Sequence, residues 1–448
     1  ITNKSNHKEK SRTETHRIIH LMSKREDKVL SLTGVDSDSI TSDQLHRYFN
    51  ANLAKGIHGI GFSAYEEGQK PGDELRLDQV ERRMAILKPS IQWVRSFSCT
   101  QGNELIPTVA KKMGIKTLVG AWLGDDLEKN ELEIEGLIKL AKEGYVDIAA
   151  VGNEVMYRKE LTEEQLLGYI QRVKDAIPHI PVGYVDAYYE FEDRPAITEI
   201  CDVILANCYP FWEGCAIEYS LLYMKDMYRR TQKVAAGKKV IITETGWPNK
   251  GENFYGAEPS QENALRYFLS TQQWSREEDI DIFYFSSFDE SWKVGAEGDV
   301  GAFWGLWDKD EQLKVSIEFL DGLVKSFGLE GGVEGQLEEE NLVVKITGEQ
   351  TEALVGEKGF IIRSLHELTR TVVQRKTGAG TRLRLDVADY AAKRKEALTI
   401  YAERLSKQIL EDKQEVMLEP MNSVDRKTLH DAASQLVGIR SYSEGREP

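Results

Sequence analysis

Two glutamates stand directly behind apolar, β-branched runs: Glu154 in DIAAVGNEV and Glu244 in VIITETGWP. A pair of carboxyls is the equipment for cleaving a glycosidic bond. One, protonated, expels the leaving oxygen, while the other, ionised, attacks the anomeric carbon or activates water. At about 5–5.5 Å apart such a pair gives retention, and at about 6.5–9.5 Å inversion. Asn153, beside the first glutamate, can donate its amide to a sugar 2-hydroxyl, a hydrogen bond that strengthens in an oxocarbenium-like transition state. Trp122, Tyr188, Tyr209, Trp247, Phe288, Trp292 and Trp304 sit at or near the ends of apolar runs. Their flat rings suit sugar faces and equally build cores.

The elements that must carry these residues are eight short runs: GIHGIGFSAY (56–65), IQWVRSFS (91–98), KTLVGAWL (116–123), VDIAAVGNE (146–154), IPVGYVDA (180–187), DVILANCYP (202–210), KKVIITET (238–245) and IDIFYFSSFD (280–289). Between them lie stretches such as LRLDQVERRMAIL and EIEGLIKLAKEG, with apolar residues at i, i+3, i+4 and i+7. Continuous apolar strands alternating with helices predict an α/β fold whose parallel sheet is covered on both faces. Eight units match a closed (β/α)8 TIM barrel, which presents its chemistry at the C-terminal strand ends. The competing doubly wound sheet lacks a Gly-x-Gly-x-x-Gly phosphate loop after any strand.

From about Gly56 to Leu313 the chain resembles glycoside hydrolase family 17, the β-1,3-glucanases, in its bacterial form. The resemblance rests on GIGFSAYEEGQKPGD, WVRSFSCTQGNELIP, VGNEV, NCYPFWEG, ITETGWPN and FSSFDESWKVGAEGDVGAFWGLWD. It implies that Glu154 is the acid/base and Glu244 the nucleophile of a retaining double displacement on β-1,3-glucan. Asn153, Tyr209 and Trp247 would bind substrate, and Glu290 and Lys293 would be supporting polar groups near the acid/base. The charge on Glu244 should raise the pKa of Glu154. Water and a second sugar remain alternative acceptors, so transglycosylation stands beside hydrolysis. No cofactor or metal is implied. The nearest histidine pair, His16 and His20, has no third ligand beside it.

Residues 326–340 are Gly- and Glu-rich and predict a linker after a last barrel helix, IEFLDGLVKSF. Beyond it NLVVKITG and TRLRLDV predict strands, and FIIRSLHELTRTVVQRK and YAAKRKEALTIYAERLSKQIL predict helices. The loop Gly356-Glu357-Lys358-Gly359 has the Gly-x-x-Gly pattern with which a KH domain clamps nucleic-acid backbone, although Glu357 places a negative charge there. Arg426 and His430, four apart, share one helical face. With LEPMNSVDRKTLHDAA and SEGREP they resemble the Arg-x-x-x-His single-strand nucleic-acid-binding domain that follows a KH domain in bacterial Jag-like RNA-binding proteins. The sequence ends where that family's last strand is expected to begin, so either that strand lies outside this sequence or the module is incomplete. The domain expectation is a polar extension over 1–50, the barrel over 51–325, a linker over 326–340, a KH-like domain over 341–398 and the Arg-x-x-x-His domain over 399–448.

Charge separates these regions. The 448 residues carry a net −16, of which residues 1–30 hold +4 and residues 341–448 hold +2, leaving −22 for the stretch 31–340. A uniformly basic nucleic-acid coat is excluded, and a near-neutral tail implies modest phosphate-driven affinity, with Lys393, Arg394 and Lys395 as a local basic patch. No apolar run approaches the roughly 18 residues of a membrane span. Cys99, Cys201, Cys208 and Cys215 form no Cys-x-x-Cys pair and read as reduced structural thiols. The polar start, opening on Ile1, shows no secretory signal, and the compartment stays open between cytoplasm and exterior. An enzyme acting on β-1,3-glucan is the favoured reading. The alternative is an RNA-binding protein with a passenger barrel.

Overall fold

The computed structural model describes residues 40–66, 68–295, 297–338, 341–377 and 380–443. The chain divides into two compact units, one ending at Asp308 and the other beginning at Lys309. In the first, helix α1 (Ser42–Ala54) precedes eight strands: β1 (Ile57–Gly61), β2 (Ile91–Ser96), β3 (Lys116–Ala121), β4 (Ile148–Asn153), β5 (Val182–Ala187), β6 (Ile204–Asn207), β7 (Val240–Thr245) and β8 (Ile282–Tyr284). They pair in sequence order, all parallel in their named pairings, and β8 closes on β1. The TIM barrel expected from the eight apolar runs is therefore the fold.

Strand alternation sorts the core. Leu118, Ile148, Ala150, Val185, Leu205, Ile241 and Phe283 cluster together, while their strand neighbours Val119, Ala149, Val151, Tyr184, Ala206 and Ile242 belong to the cluster shared with the helices. The first set fills the bore and the second lies under the surrounding helices. These are α2 (Leu77–Leu87), α3 (Leu105–Lys112), α4 (Leu127–Lys142), the short α5 (Val155–Arg158), α6 (Glu163–Ala176), α7 (Pro195–Ile200), α8 (Ile217–Val234) and α9 (Gln261–Glu278). Several start where the sequence supplies a cap: Asp126, Thr162 and Ser260 each accept from the backbone N–H three residues on.

The polar extension expected over 1–50 lies outside the described residues up to residue 39, as do His16 and His20. Its last part is corrected. Thr41 caps α1 in a capping box, Leu45 and Leu53 are buried, and Phe49 meets Phe268 edge-on at 4.8 Å. Apolar residues spaced by four give this polar-looking segment one core-facing stripe.

The second unit contains α10 (Asp308–Ser326) from Lys309 onward, β9 (Gly332–Glu338), β10 (Asn341–Thr347), α11 (Phe360–Thr377), β11 (Arg382–Val387), α12 (Tyr390–Asp412) and α13 (Ser423–Ser434). Its sheet runs β11–β10–β9, with β10 parallel to β11 and antiparallel to β9. Three expectations change here. The linker over 326–340 instead supplies β9, whose Val333 and Leu337 pack on the same core as Leu342, Val344 and Ile346. Gly335 lets this strand lie against α10, where a Cβ would come within 2.8 Å of Leu313. The expected last barrel helix places Leu320 and Val324 in that same core. The division expected between 398 and 399 falls inside α12, whose Leu398 and Ala402 pack with Leu429 of α13. The four cysteines are free thiols, three of them buried, and among the described residues no helix is long and apolar enough to cross a membrane.

Candidate active site

Both glutamates follow a local irregularity in the barrel. Between Ala150↔Gly183 and Asn153↔Val185, two residues of β4 stand opposite one of β5. Gly152 occupies that bulge at φ +87°. On β7 the register jumps from Ala206↔Ile242 to Asn207↔Glu244, leaving Thr243 as the extra residue. Bulges re-aim the side chains that follow them, and they recur at barrel rims. Glu154 then turns into the left-handed region, φ 51° and ψ 32°, before α5. For a non-glycine residue this conformation costs roughly 1–2 kcal/mol, which the surroundings must offset.

A hydrogen-bonded network joins four strands at this end. Arg95 on β2 donates from Nη1 to Glu244 Oε1 at 2.5 Å and from Nη2 to Asn153 Oδ1 at 2.6 Å. Tyr209 donates its hydroxyl to Glu244 Oε2 at 2.8 Å. Asn207 Nδ2 donates to Glu154 Oε1 at 2.8 Å, while Asn207 Oδ1 accepts from Thr243 Oγ1 at 2.9 Å. Because guanidinium only donates, Arg95 occupies the carbonyl oxygen of Asn153 and leaves its NH2 group to reach a ligand. Glu244 thus has a hydrogen-bond donor on each oxygen, one of them cationic.

The two carboxyls are electrostatically unequal. Burial, and next the charge of Glu244, push Glu154 up to about 7 against the pull of Asn207 and Arg158. One group is thereby suited to hold a proton near neutrality beside a carboxylate paired with arginine. Burial and the charge of Glu244 also push the Tyr209 phenol well up, keeping it a donor.

Glu290 and Lys293 form a buried pair at 2.7 Å, with Trp292 Nε1 donating to Glu290 at 3.2 Å and the ammonium 4.1 Å from the Phe285 ring centroid. Burial opposes the charge of Lys293, yet Glu290, Glu297 and Glu244 hold its pKa above the ordinary value. The pair follows β8, and the charge of Glu244 reaches Lys293. Trp247, expected to bind substrate, lies inward. It is buried among Phe211 and Tyr267 and donates Nε1 to the Glu258 carbonyl at 2.9 Å. Tyr188, Phe288 and Trp304 are buried as well, whereas Trp122 and Trp292 keep an exposed edge. The Arg158 guanidinium lies 4.7 Å from the Trp122 ring centroid.

Arg95 and Asn207 were not singled out as site residues from the sequence. The available signal was a polar residue inside an apolar strand run, IQWVRSFS and DVILANCYP, where an unpaired polar group would be costly.

In the second unit, Gly356, Lys358 and Gly359 form a turn with all three at positive φ between residues 351–354 and α11. Lys358 pairs with Glu419 at 3.1 Å. Arg426 and His430 lie on α13, and the His430 ring nitrogens meet Ser441 and Ser443 at 2.7 and 2.9 Å. Of the basic patch, Lys393 pairs with Glu352 at 3.6 Å and Arg394 with Asp425 at 3.2 Å.

Comparison with known proteins agrees with this division. Residues 59–305 match the BtgE/BtgC glycoside hydrolase domain, and residues 396–448 match the domain family named for its Arg-x-x-x-His motif. A glucan 1,3-β-glucosidase of Arthroderma benhamiae is 30% identical over 287 residues, covering 58% of this chain and 90% of the relative. A glucan 1,3-β-glucosidase of Saccharomyces cerevisiae is 26% identical over 296 residues, covering 59% and 93%. The glycoside hydrolase family 17 β-1,3-glucanosyltransferase of Rhizomucor miehei matches structurally with a TM-score of 0.51 at 28% identity, over 56% of this chain and 93% of that one.

Proposed function

The chain belongs to the BtgE/BtgC glycoside hydrolase family, and from that premise we propose that its barrel cleaves β-1,3-linked glucan with retention by double displacement. The protonated carboxyl of Glu154 gives its proton to the glycosidic oxygen as Glu244 attacks the anomeric carbon, and the leaving sugar departs. The anomeric carbon is then bonded to Glu244. In the second step Glu154, now ionised, takes the proton of an incoming hydroxyl whose oxygen displaces Glu244. Arg95 and Tyr209 orient the nucleophile, and Asn153 offers its NH2 group to the 2-hydroxyl.

The observation that carries this reading is the asymmetry of the pair: Glu244 held by Arg95 and Tyr209, Glu154 raised to about 7. Laminarin turnover followed by proton NMR should release product first as the β anomer. A 2-deoxy-2-fluoro glycosyl donor should label the peptide containing Glu244. First release of the α anomer, or label elsewhere, overturns the assignment. Water and a second sugar serve equally as acceptor in this chemistry, and product chain lengths distinguish them.

A second reading concerns the other unit, which carries the Arg-x-x-x-His domain match. We propose that β10, the Gly-x-x-Gly turn, α11 and β11 form a KH-like clamp for single-stranded RNA ahead of Arg426 and His430. What favours it is the turn leading into a helix between two parallel neighbouring strands. Binding should be modest and steeply salt-dependent, and replacing Gly356 and Gly359 by Asp should abolish it. Unchanged binding by that double variant removes the clamp.

A further inference from the structure

We propose that Asp186 and Tyr184 on β5 are a positioning pair that fixes the backbone of Glu154 and governs when its carboxyl gives up and regains a proton. The proposal rests on the reading of Glu154 as the acid/base.

Val185 belongs to the cluster that fills the bore, so the alternating Tyr184 and Asp186 stand on the opposite face of β5, behind Glu154. Both are essentially inaccessible. Asp186 accepts from the Tyr184 hydroxyl, from Met156 N at 3.2 Å, from Tyr157 N at 3.3 Å and from Ala187 N at 2.7 Å. The Tyr184 oxygen also accepts from Met156 N at 2.9 Å. Met156 and Tyr157 belong to the first turn of α5, immediately after Glu154, whose own N–H reaches Val185 O at 2.8 Å. Three consecutive residues of β5 therefore grip the left-handed turn on both sides. A buried carboxylate is destabilising unless its hydrogen bonds are made, and here the bonds made are those that hold Glu154.

The charge has a second consequence. Glu154 faces Glu244 from β7, Asp186 from β5, Arg158 from α5, and the polar Asn207 and Tyr209 from β6 and the segment beyond it. Burial raises Asp186 to about 6, with Tyr184 and backbone N–H groups opposing and Glu190 adding, so it is ionised at neutrality. When the anomeric carbon bonds to Glu244, that carboxylate loses its charge. Asp186 keeps its own through both steps and leaves Glu154 basic enough to take the proton of the incoming hydroxyl.

The test compares the whole protein with its Asp186→Asn and Tyr184→Phe variants on laminarin across pH. Asp186→Asn should lower kcat/KM by about 10²-fold, the order that a small misplacement costs. It should also move the basic limb of the profile to lower pH, because removing a negative neighbour eases ionisation of Glu154. An unmoved basic limb, or a kcat/KM within about twofold of wild type, overturns the proposal. If circular dichroism shows that Asp186→Asn fails to fold, Tyr184→Phe decides. It keeps the carboxylate but removes one of its donors, and should lower kcat with little change in KM and a smaller displacement in the same direction. A wild-type profile for a folded Tyr184→Phe overturns it. The underlying assignment is tested separately. Glu154→Gln acting on a dinitrophenyl β-laminaribioside should be rescued by azide to give the β-glycosyl azide, and no rescue removes Glu154 as acid/base whatever Asp186 does.

Discussion

The barrel and the second unit use ion pairs in opposite ways. Arg95 and Glu244 are 2% and 9% exposed and share their remaining hydrogen bonds with Asn153, Thr243 and Tyr209. Lys358 and Glu419, 69% and 83% exposed, meet at the surface. Buried charges interact strongly and leave a large penalty when one partner is removed, whereas exposed pairs are screened and worth little. The lesson is about commitment. The buried pair is bound to one geometry, as the role proposed for Glu244 requires, while the exposed lysine can leave Glu419 with little loss, as the proposed RNA contact requires.

The largest effect that sharpens this contrast is Glu244→Gln, which should lower laminarin cleavage by more than about 10³-fold, measured on protein that circular dichroism shows to be folded. Residual activity within about tenfold, an order that the loss of a nucleophile cannot leave, would break the assignment of chemistry to the buried pair. The pH profile comes next. Glu154 must be protonated for the first step, so kcat/KM should fall about tenfold per pH unit above about 7. Linkage has the same sign: a carboxyl raised in the folded state contributes stability below its ordinary 4.5 that is lost as pH rises through about 7. Arg95→Met should lower the unfolding free energy by about 3–5 kcal/mol in urea titrations, by leaving Glu244 buried and unpaired. In the second unit Gly335→Val should cost about 1–3 kcal/mol, because its side chain meets Leu313 and Ile317. Lys358→Ala should change stability by less than about 1 kcal/mol while reducing the salt dependence of RNA binding. A large stability loss there would erase the distinction between the two units.

The eight apolar runs made the barrel legible because strands buried on both faces carry continuous hydrophobic sequence. Glu154 and Glu244 were legible because they follow such runs. Trp247 follows one too and turned inward, since an aromatic ring satisfies a core as readily as a sugar. β9 was hidden for the converse reason. An edge strand of Gly and Glu needs only Val333 and Leu337 on its inner side, a pattern too sparse to separate from a linker. Arg95, Asn207 and Asp186 were present as polar residues in apolar strands, but their partners lie 149, 53 and up to 30 residues away.

Composition and periodicity alone thus determined a parallel α/β barrel with two strand-end carboxyls, joined to a small α+β tail of different charge. The rise of the Glu154 carboxyl, which end of the Asn153 amide meets Arg95, and which charge faces Glu154 from behind were decided by tertiary structure. Hydrophobic period is a local property that a chain displays along its length, whereas a pKa depends on burial and on charges that only folding brings within a few ångströms.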